Sequence, residues 1–282
     1  MTFGVPKIFD RTKIRAKRER SARLIDNHDF LHQRVADDII NRLQSINRTF
    51  DRVQINGAGT MATKITNACD LKNVITTDLS SKRLTKGTPS VVYDEDHGPF
   101  RAASFDLIIS ILTLHTVNDF VGAIAQAKHS LVADGLFIAA IFGENTLINL
   151  KSALYNAETT LTDGANIRFA PMAAIQDCGQ ALSRAGLALP VVDLDDVDVT
   201  YGAPMRLLKD LRGIGETNPL QSQSAPLRRD VLAKTLEFFQ QNGGTERFDI
   251  VYLTGWSPDE SQQKPLRPGS GKVSFEDAVQ KF

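Results

Sequence analysis

Little in this chain can staple or clip it. Its two cysteines, Cys69 and Cys178, lie far apart in 282 residues and form no metal-ligand spacing. That excludes a disulfide framework, and free thiols in a reducing compartment are expected. No uninterrupted apolar stretch approaches the roughly 20 residues that span a bilayer. The opening "MTFGVPKIFDRTK" lacks the apolar core of a secretory signal. Asp10, Glu19 and Asp26 argue against a mitochondrial address, so the expectation is a cytoplasmic, bacterial-type chain without a transit peptide. Excess charge of one sign is missing too: 33 basic residues balance 33 acidic ones. No global field therefore recruits nucleic acid or an acidic substrate. The five histidines are scattered, with no compact facial set of ligands, so no metal is expected from the sequence.

What is present is ordinary for a globular protein: 42% hydrophobic residues and 23% charged. The charge is uneven, however. Arg11, Lys13, Arg15, Lys17, Arg18, Arg20 and Arg23 crowd one short segment against a single acid, Glu19. Such a segment is a solvated helix face or a docking surface for an acidic partner or a membrane, with an attraction that salt screens. It has no interleaved aromatics, and nucleic acid is not indicated.

Periodicity sets the order of elements. Residues 12–48 read as mainly helical, with Leu31, Val35, Ile39 and Leu43 on one face. Strands are expected over 52–56, 73–78, 90–96, 105–114 and 136–143. Helices are expected between them, over 61–69, 80–87 and 119–135. Helical segments at 146–160, 171–186, 204–212 and 225–241 surround two later strands, 189–201 and 247–256. Runs apolar on both faces, 107–112 and 136–142, suit central strands of a parallel sheet. The expected fold is α/β, a doubly wound, mostly parallel seven-stranded sheet with a helical amino-terminal arm and helical insertions. The expected divisions are a basic arm, 1–48, a cofactor-binding core, 49–145, a segment carrying the remaining strands and a helical substrate cap, 146–256, and an extended tail, 257–282.

In such a sheet, ligands sit beyond the carboxyl ends of the strands. Those ends carry Gly57 and Gly59, then Asp78, then Asp94, Glu95 and Asp96, then Thr113 and His115. Glycines admit positive φ and bring backbone N–H groups to a ligand. A carboxylate ending the second strand accepts the hydroxyl protons of a ribose, and one after the third accepts from an exocyclic amine such as that of adenine. About twenty residues separate the glycine turn from Asp78, as in nucleotide-type sites. The turn "NGAGTM" has no third glycine and no basic side chain for a phosphate, which favours a cofactor without phosphate. Asp78 is equally placed to cap a following helix. His115 has two readings, a base in the site or a satisfied core residue. Tyr155, Tyr201 and Trp256 read as packing residues.

The segments "INGAG", "TTDLS", "VVYDED", "SFDLIISILTLHTVND" and "LVADGLFIAAIFG" resemble class I S-adenosylmethionine-dependent methyltransferases. Two relatives stand out: the malonyl-thioester methyltransferase of biotin synthesis, and the respiratory complex I assembly factor that hydroxylates an arginine. The resemblance to the second runs from "IFDRTKIRAKRERSA" through "IFGENTLINLKSAL" and "LLKDLRGIGETN" to "IVYLTGW", nearly the whole chain. It implies S-adenosylmethionine as cofactor. Gly57, Ala58 and Gly59 would pass its methionine end, Asp78 would hold the ribose and Leu79 would face the adenine. Asp94 would meet the adenine edge with Glu95 close by, Ile111 and Leu112 would lie near the sulfonium, and His115 near the transferred group. The implied activity is methylation of a protein, such as a complex I subunit, or of a carrier-bound acid. Arginine hydroxylation and a non-catalytic assembly role are the alternatives. The first motif departs from the family: in one register Gln54 stands at its acid, and in the other Ile55 stands there and Met61 at its third glycine.

Overall fold

The structure is a computed structural model that describes residues 7–162, 164–222 and 224–263. Seven strands form one sheet. They are β1 (Val53–Asn56), β2 (Val74–Asp78), β3 (Ser90–Val92), β4 (Phe105–Ile111), β5 (Leu131–Phe142), β6 (Ala188–Thr200) and β7 (Thr245–Trp256). Their order is β3-β2-β1-β4-β5-β7-β6. The first five run parallel, whereas β7 is antiparallel to both β5 and β6. The order reverses between β1 and β4, and the strand ends beside that switch point are the site to inspect.

The helices are α1 (Arg11–Ser21), α2 (Phe30–Ser45), α3 (Met61–Ala68), α4 (Phe120–Ser130), α5 (Ile148–Leu161), α6 (Ile175–Arg184), α7 (Pro204–Ile214) and α8 (Arg229–Gln241). Helix α2 buries the expected stripe of Leu31, Val35, Ile39 and Leu43 against Ile55, Leu107 and Ile109 on one face of the sheet. On the other face, Ile108, Phe137 and Leu253 meet Ile124 of α4 and Leu182 of α6. Central strands buried from both sides explain why their sequences do not alternate.

Three expected elements differ. The helix expected over 119–135 ends at Ser130, because Leu131 turns extended to pair with Phe105. Asp134 at φ 57° then turns the chain, and Gly135 lies inside the strand rather than stopping the helix. The helix expected over 80–87 shrinks to a 3-10 turn at Ser81–Arg83. Asp78 Oδ1 accepts the Ser80 N–H, Ser80 Oγ accepts that of Lys82, and Thr85 Oγ1 donates to the Gly59 carbonyl. The first two are local bonds that compete with helix propagation, and the third ties Thr85 to the glycine turn instead. Strand β3 is cut to three exposed residues, because the acids after Val92 form a turn.

The basic arm does not stand apart from the sheet. Its approach is fixed by an antiparallel bridge between Phe9 and Leu220, and by Asn118 Oδ1, which accepts the N–H groups of Ile8 and Phe9. Asp10 caps α1 by accepting from the Lys13 N–H. Ile14 and Phe9 then pack with Leu79, Ala170 and Leu220. At the other end of the chain, Ser257 exchanges backbone hydrogen bonds with Asp134 and Gly135. The rest of the expected tail, from 264 on, lies outside the described residues.

Candidate functional site at the strand ends

Gly57 and Gly59 take φ values of +75° and +53°, so the turn after β1 is a left-handed glycine turn. At Gly57 the need is also steric: a Cβ there would lie 2.2 Å from Thr113 Cγ2 and 2.5 Å from the Ile111 carbonyl oxygen. The register with Gly57 and Gly59 as the motif glycines is therefore the structural one. In it Ile55, fully buried in the core, stands where the acid would be, and Met61 opens α3 where the third glycine would be. Ala58, Ile111 and Leu112 also turn their side chains into the core.

On the opposite side of β1, a buried network replaces the missing acid. Asn56 Nδ2 donates to Glu95 Oε1 and to Thr113 Oγ1, both at 2.9 Å. Its Oδ1 accepts from Thr77 Oγ1, which in turn accepts from Gln54 Nε2 at 3.1 Å. Satisfied polar networks of this kind fix one arrangement of a core. They hold the ends of β1, β2 and β4 and the turn after β3 together.

The acids of the site are covered by α1. Arg11 Nε donates to Asp94 Oδ1 at 2.9 Å, its Nη2 donates to Glu95, and its Nη1 to the Thr116 carbonyl. Arg15 Nε donates to the Leu79 carbonyl at 3.1 Å. Arg18 Nε lies 3.6 Å from Asp78 Oδ1. Burial pushes the Glu95 carboxyl up, but Arg11, Arg18 and the Asn56 amide together bring it below its ordinary value. The basic segment is thus divided: part of it turns onto the strand ends, and part keeps the solvated face that its composition suggests. Arg11 and Arg18 turn inward onto carboxylates at the strand ends, while Arg15 and Lys17 reach the Leu79 and Asn218 carbonyls from nearer the surface. Lys13, Arg15, Arg20 and Arg23 stay exposed.

His115 sits on the 3-10 turn Leu114–Thr116, which Leu112 starts by turning left-handed at φ +48°. Its ring lies 5.0 Å from that of Phe142, edge to face, and Nε2 is 3.1 Å from Glu216 Oε2. Glu216 is delivered by the end of α7. Gly215 at φ 89° ends the helix, and the Glu216 N–H reaches back to the Leu211 carbonyl at 2.8 Å, a Schellman closure. Burial raises the Glu216 carboxyl, yet His115, Arg18 and His32 hold it down to about 2. An ionised Glu216 only accepts, so His115 donates through Nε2, and its Nδ1 has no partner among the described residues. Sequence reading gave His115 without this partner. Glu216, Arg18, His32 and Arg83 carried no local motif to mark them.

Those residues converge. Among the described residues, nine buried side-chain nitrogen and oxygen atoms have no hydrogen-bond partner, and seven belong to this one cluster. They are Arg18 Nε and Nη2, His32 Nδ1, Asp78 Oδ2, Arg83 Nη1 and Nη2, and His115 Nδ1. Buried polar atoms are almost always paired, so a concentration of orphans marks a place where a polar ligand belongs. On one side, beyond Arg83, lies a cavity of about 720 Å³ over Gly59, Thr60 and Thr63. On the other, beyond His115 and Glu216, lies a mostly apolar cavity of about 330 Å³ walled by Phe142, Leu150, Phe169 and Phe248. Tyr155 is exposed at a neighbouring cleft rather than packed in the core, while Tyr201 is buried.

The cluster makes stability depend on acid in two windows. Burial, reinforced by Arg83 and Arg18, lowers the His32 pKa from 6.5 to about 3. The unfolded chain then takes up this proton first, and stability falls as pH drops from 6.5 towards 3. The Glu216 contribution is full above the ordinary 4.5 and is lost as pH falls through about 2. Urea midpoints measured against pH are expected to decline from about pH 6.5 downward. His32→Leu should flatten the upper part of that decline, and Glu216→Gln the lower.

The sheet order, the glycine turn and the acids at successive strand ends define a nucleoside-cofactor fold of the methyltransferase class, and comparison with known proteins agrees. Residues 56–139 match the family model described as "Methyltransferase domain". In structure the chain is similar to the YcgJ protein of Bacillus subtilis, with a TM-score of 0.55 at 14% identity over 80% of this chain and 99% of that one. In sequence it is similar to the mitochondrial arginine-hydroxylase NDUFAF5 of Danio rerio, 32% identical over 96% of this chain and 89% of that protein. The human protein of that name is 34% identical over 95% of this chain and 82% of its own length. A malonyl-[acyl-carrier protein] O-methyltransferase of Xylella fastidiosa is 27% identical over 89% of each. The chain belongs to the NDUFAF5 family of S-adenosylmethionine-dependent methyltransferase-fold proteins. The residues present fit that cofactor: Asp78 keeps one oxygen without a partner, and Arg18 and Arg83 keep four donors.

Proposed function

We propose that this chain binds S-adenosylmethionine at the strand ends and uses it to modify a side chain of a protein, in the assembly of respiratory complex I. The observation that carries this reading is the cluster of seven partnerless polar atoms between the glycine turn and His115. Gly57, Ala58 and Gly59 form the backbone floor, with the Ile111 carbonyl and Leu112 behind them. Asp78 accepts the ribose hydroxyls and Leu79 packs on the base. Asp94, with Glu95 beside it, accepts from the adenine amine once that donor takes the place of Arg11. When bound, the cofactor supplies a methyl group on an electrophilic sulfonium.

The chain's own residues then have to position a nucleophile and take its proton. The 330 Å³ cavity leads from the surface to His115. Its apolar walls exclude water, and Glu216 fixes the imidazole with Nδ1 free to accept the proton. Methyl transfer is the activity this arrangement supports. Arginine hydroxylation is the second reading, favoured because relatives carrying that name are 32 and 34% identical across almost the whole chain. It would add an oxygen atom and so require an oxidant from outside the chain. A cytoplasmic location is part of the proposal. The divisions at 48, 145 and 256 are likewise proposed as arm, cofactor core and substrate cap.

Mass spectrometry of complex I subunits from cells with and without the chain separates the two reactions. A chain-dependent gain of about 14 Da on one side chain is expected for methylation. A gain of about 16 Da on an arginine would establish hydroxylation instead. No chain-dependent mass change would leave an assembly role without chemistry.

A further inference from the structure

Two guanidinium groups lie buried in the site with donors that nothing among the described residues accepts. Arg18 is 4% exposed and Arg83 5%, and two nitrogens of each are without partners. The nearest carboxylate to Arg18 is Asp78 at 3.6 Å, beyond hydrogen-bond range. Its Oδ1 accepts from the Ser80 N–H, and its Oδ2 has no partner. Glu216 is committed to His115. A buried guanidinium without an acceptor is among the least favourable arrangements a protein can hold, and a second one nearby makes it worse. Helix α1, which carries Arg18, packs against the turn Ser81–Arg83, and burial and the nearby Arg18 push the Arg83 pKa down to about 10.

We propose that Arg18 and Arg83 form a clamp for the carboxylate at the amino-acid end of the cofactor. The assignment rests on the cofactor reading above and extends it to residues outside the recognised motifs. Guanidinium forks match a carboxylate two donors at a time. The clamp also stands in the right neighbourhood. The Arg83 carbonyl lies 3.8 Å from where a Gly59 Cβ would be, and the cavity over Gly59 and Thr60 reaches Arg83. Because Arg18 belongs to α1 and Arg83 to the turn after β2, a carboxylate held between them ties the arm to the sheet. The basic segment thus contributes to binding the cofactor.

Calorimetric titration of the full chain with three ligands tests the clamp. They are S-adenosylmethionine, its decarboxylated form, and 5′-methylthioadenosine, which lacks the whole amino-acid end. S-adenosylmethionine is expected to bind about tenfold to a hundredfold more tightly than the decarboxylated form, the worth of a charge-assisted contact. Arg83→Met should erase that preference while leaving the affinity for 5′-methylthioadenosine unchanged. Equal affinity of the wild-type chain for the first two ligands would overturn the clamp even where both bind well. If none of the three binds, the cofactor reading fails and the clamp with it. The comparison of ligands on the wild-type chain stands even if Arg83→Met does not fold.

Discussion

Replacing Asp78 by alanine is expected to weaken S-adenosylmethionine binding by on the order of a hundredfold or more. Two hydroxyl donors on one buried carboxylate are worth about 1.5–3 kcal/mol each, and their loss compounds to that ratio. Asp78 is 1% exposed and ends β2 between β1 and β3, where its position is fixed by the sheet. The variant also leaves Arg18 without its neighbouring carboxylate, so some stability should be lost as well. Asp78→Asn separates the effects: it keeps the shape and the turn to Ser80 but loses the charge. Calorimetry on both variants, with thermal melts alongside, checks the result. Undiminished binding in a folded Asp78→Ala chain would remove Asp78 from the site.

Gly57→Ala should be the most damaging single-methyl change in the core. The added Cβ would meet Thr113 Cγ2 at 2.2 Å and the Ile111 carbonyl at 2.5 Å, in a backbone held at φ +75°. Overpacking costs about 1–3 kcal/mol, and the left-handed conformation about 1–2 kcal/mol more for a residue with a side chain. At about 2–4 °C per kcal/mol, the scale for chains just shorter than this one, the melting temperature should fall by about 4–20 °C. Gly59→Ala meets only the Arg83 carbonyl, at 3.8 Å, and should cost less in stability than Gly57→Ala. A melt of Gly57→Ala within a degree or two of wild type would contradict the tight crossing of β1 against β4.

The sheet could be read from the sequence because its signal is local. Runs such as 107–112 and 136–142 are apolar on both faces, and only a central strand is covered from both sides. The glycine turn and Asp78 were legible for the same reason, each marking one strand end. The cover on the site was not. Arg11 reaches Asp94 and Glu95 across more than eighty residues of chain, and its segment has the composition of a solvated helix. Arg83 lies in a turn whose side-chain bonds broke the helix that its periodicity suggested. Glu216 follows a helix-ending glycine in "GIGETN", which looks like a surface loop until the Schellman closure turns it inward. Each of these residues gained its role from groups distant in the sequence, and no spacing along the chain records that.

One measurement tests the central claim most directly: titration of the purified wild-type chain with S-adenosylmethionine. Saturable binding at micromolar concentration, sharply weakened in Asp78→Ala, is the predicted result. It would mean that a turn without its acid and third glycine still works, supported by the Asn56 network and the two buried arginines. The absence of binding even at millimolar cofactor would contradict the account. The orphaned groups would then belong to some other ligand, or to an assembly protein that has kept the fold alone.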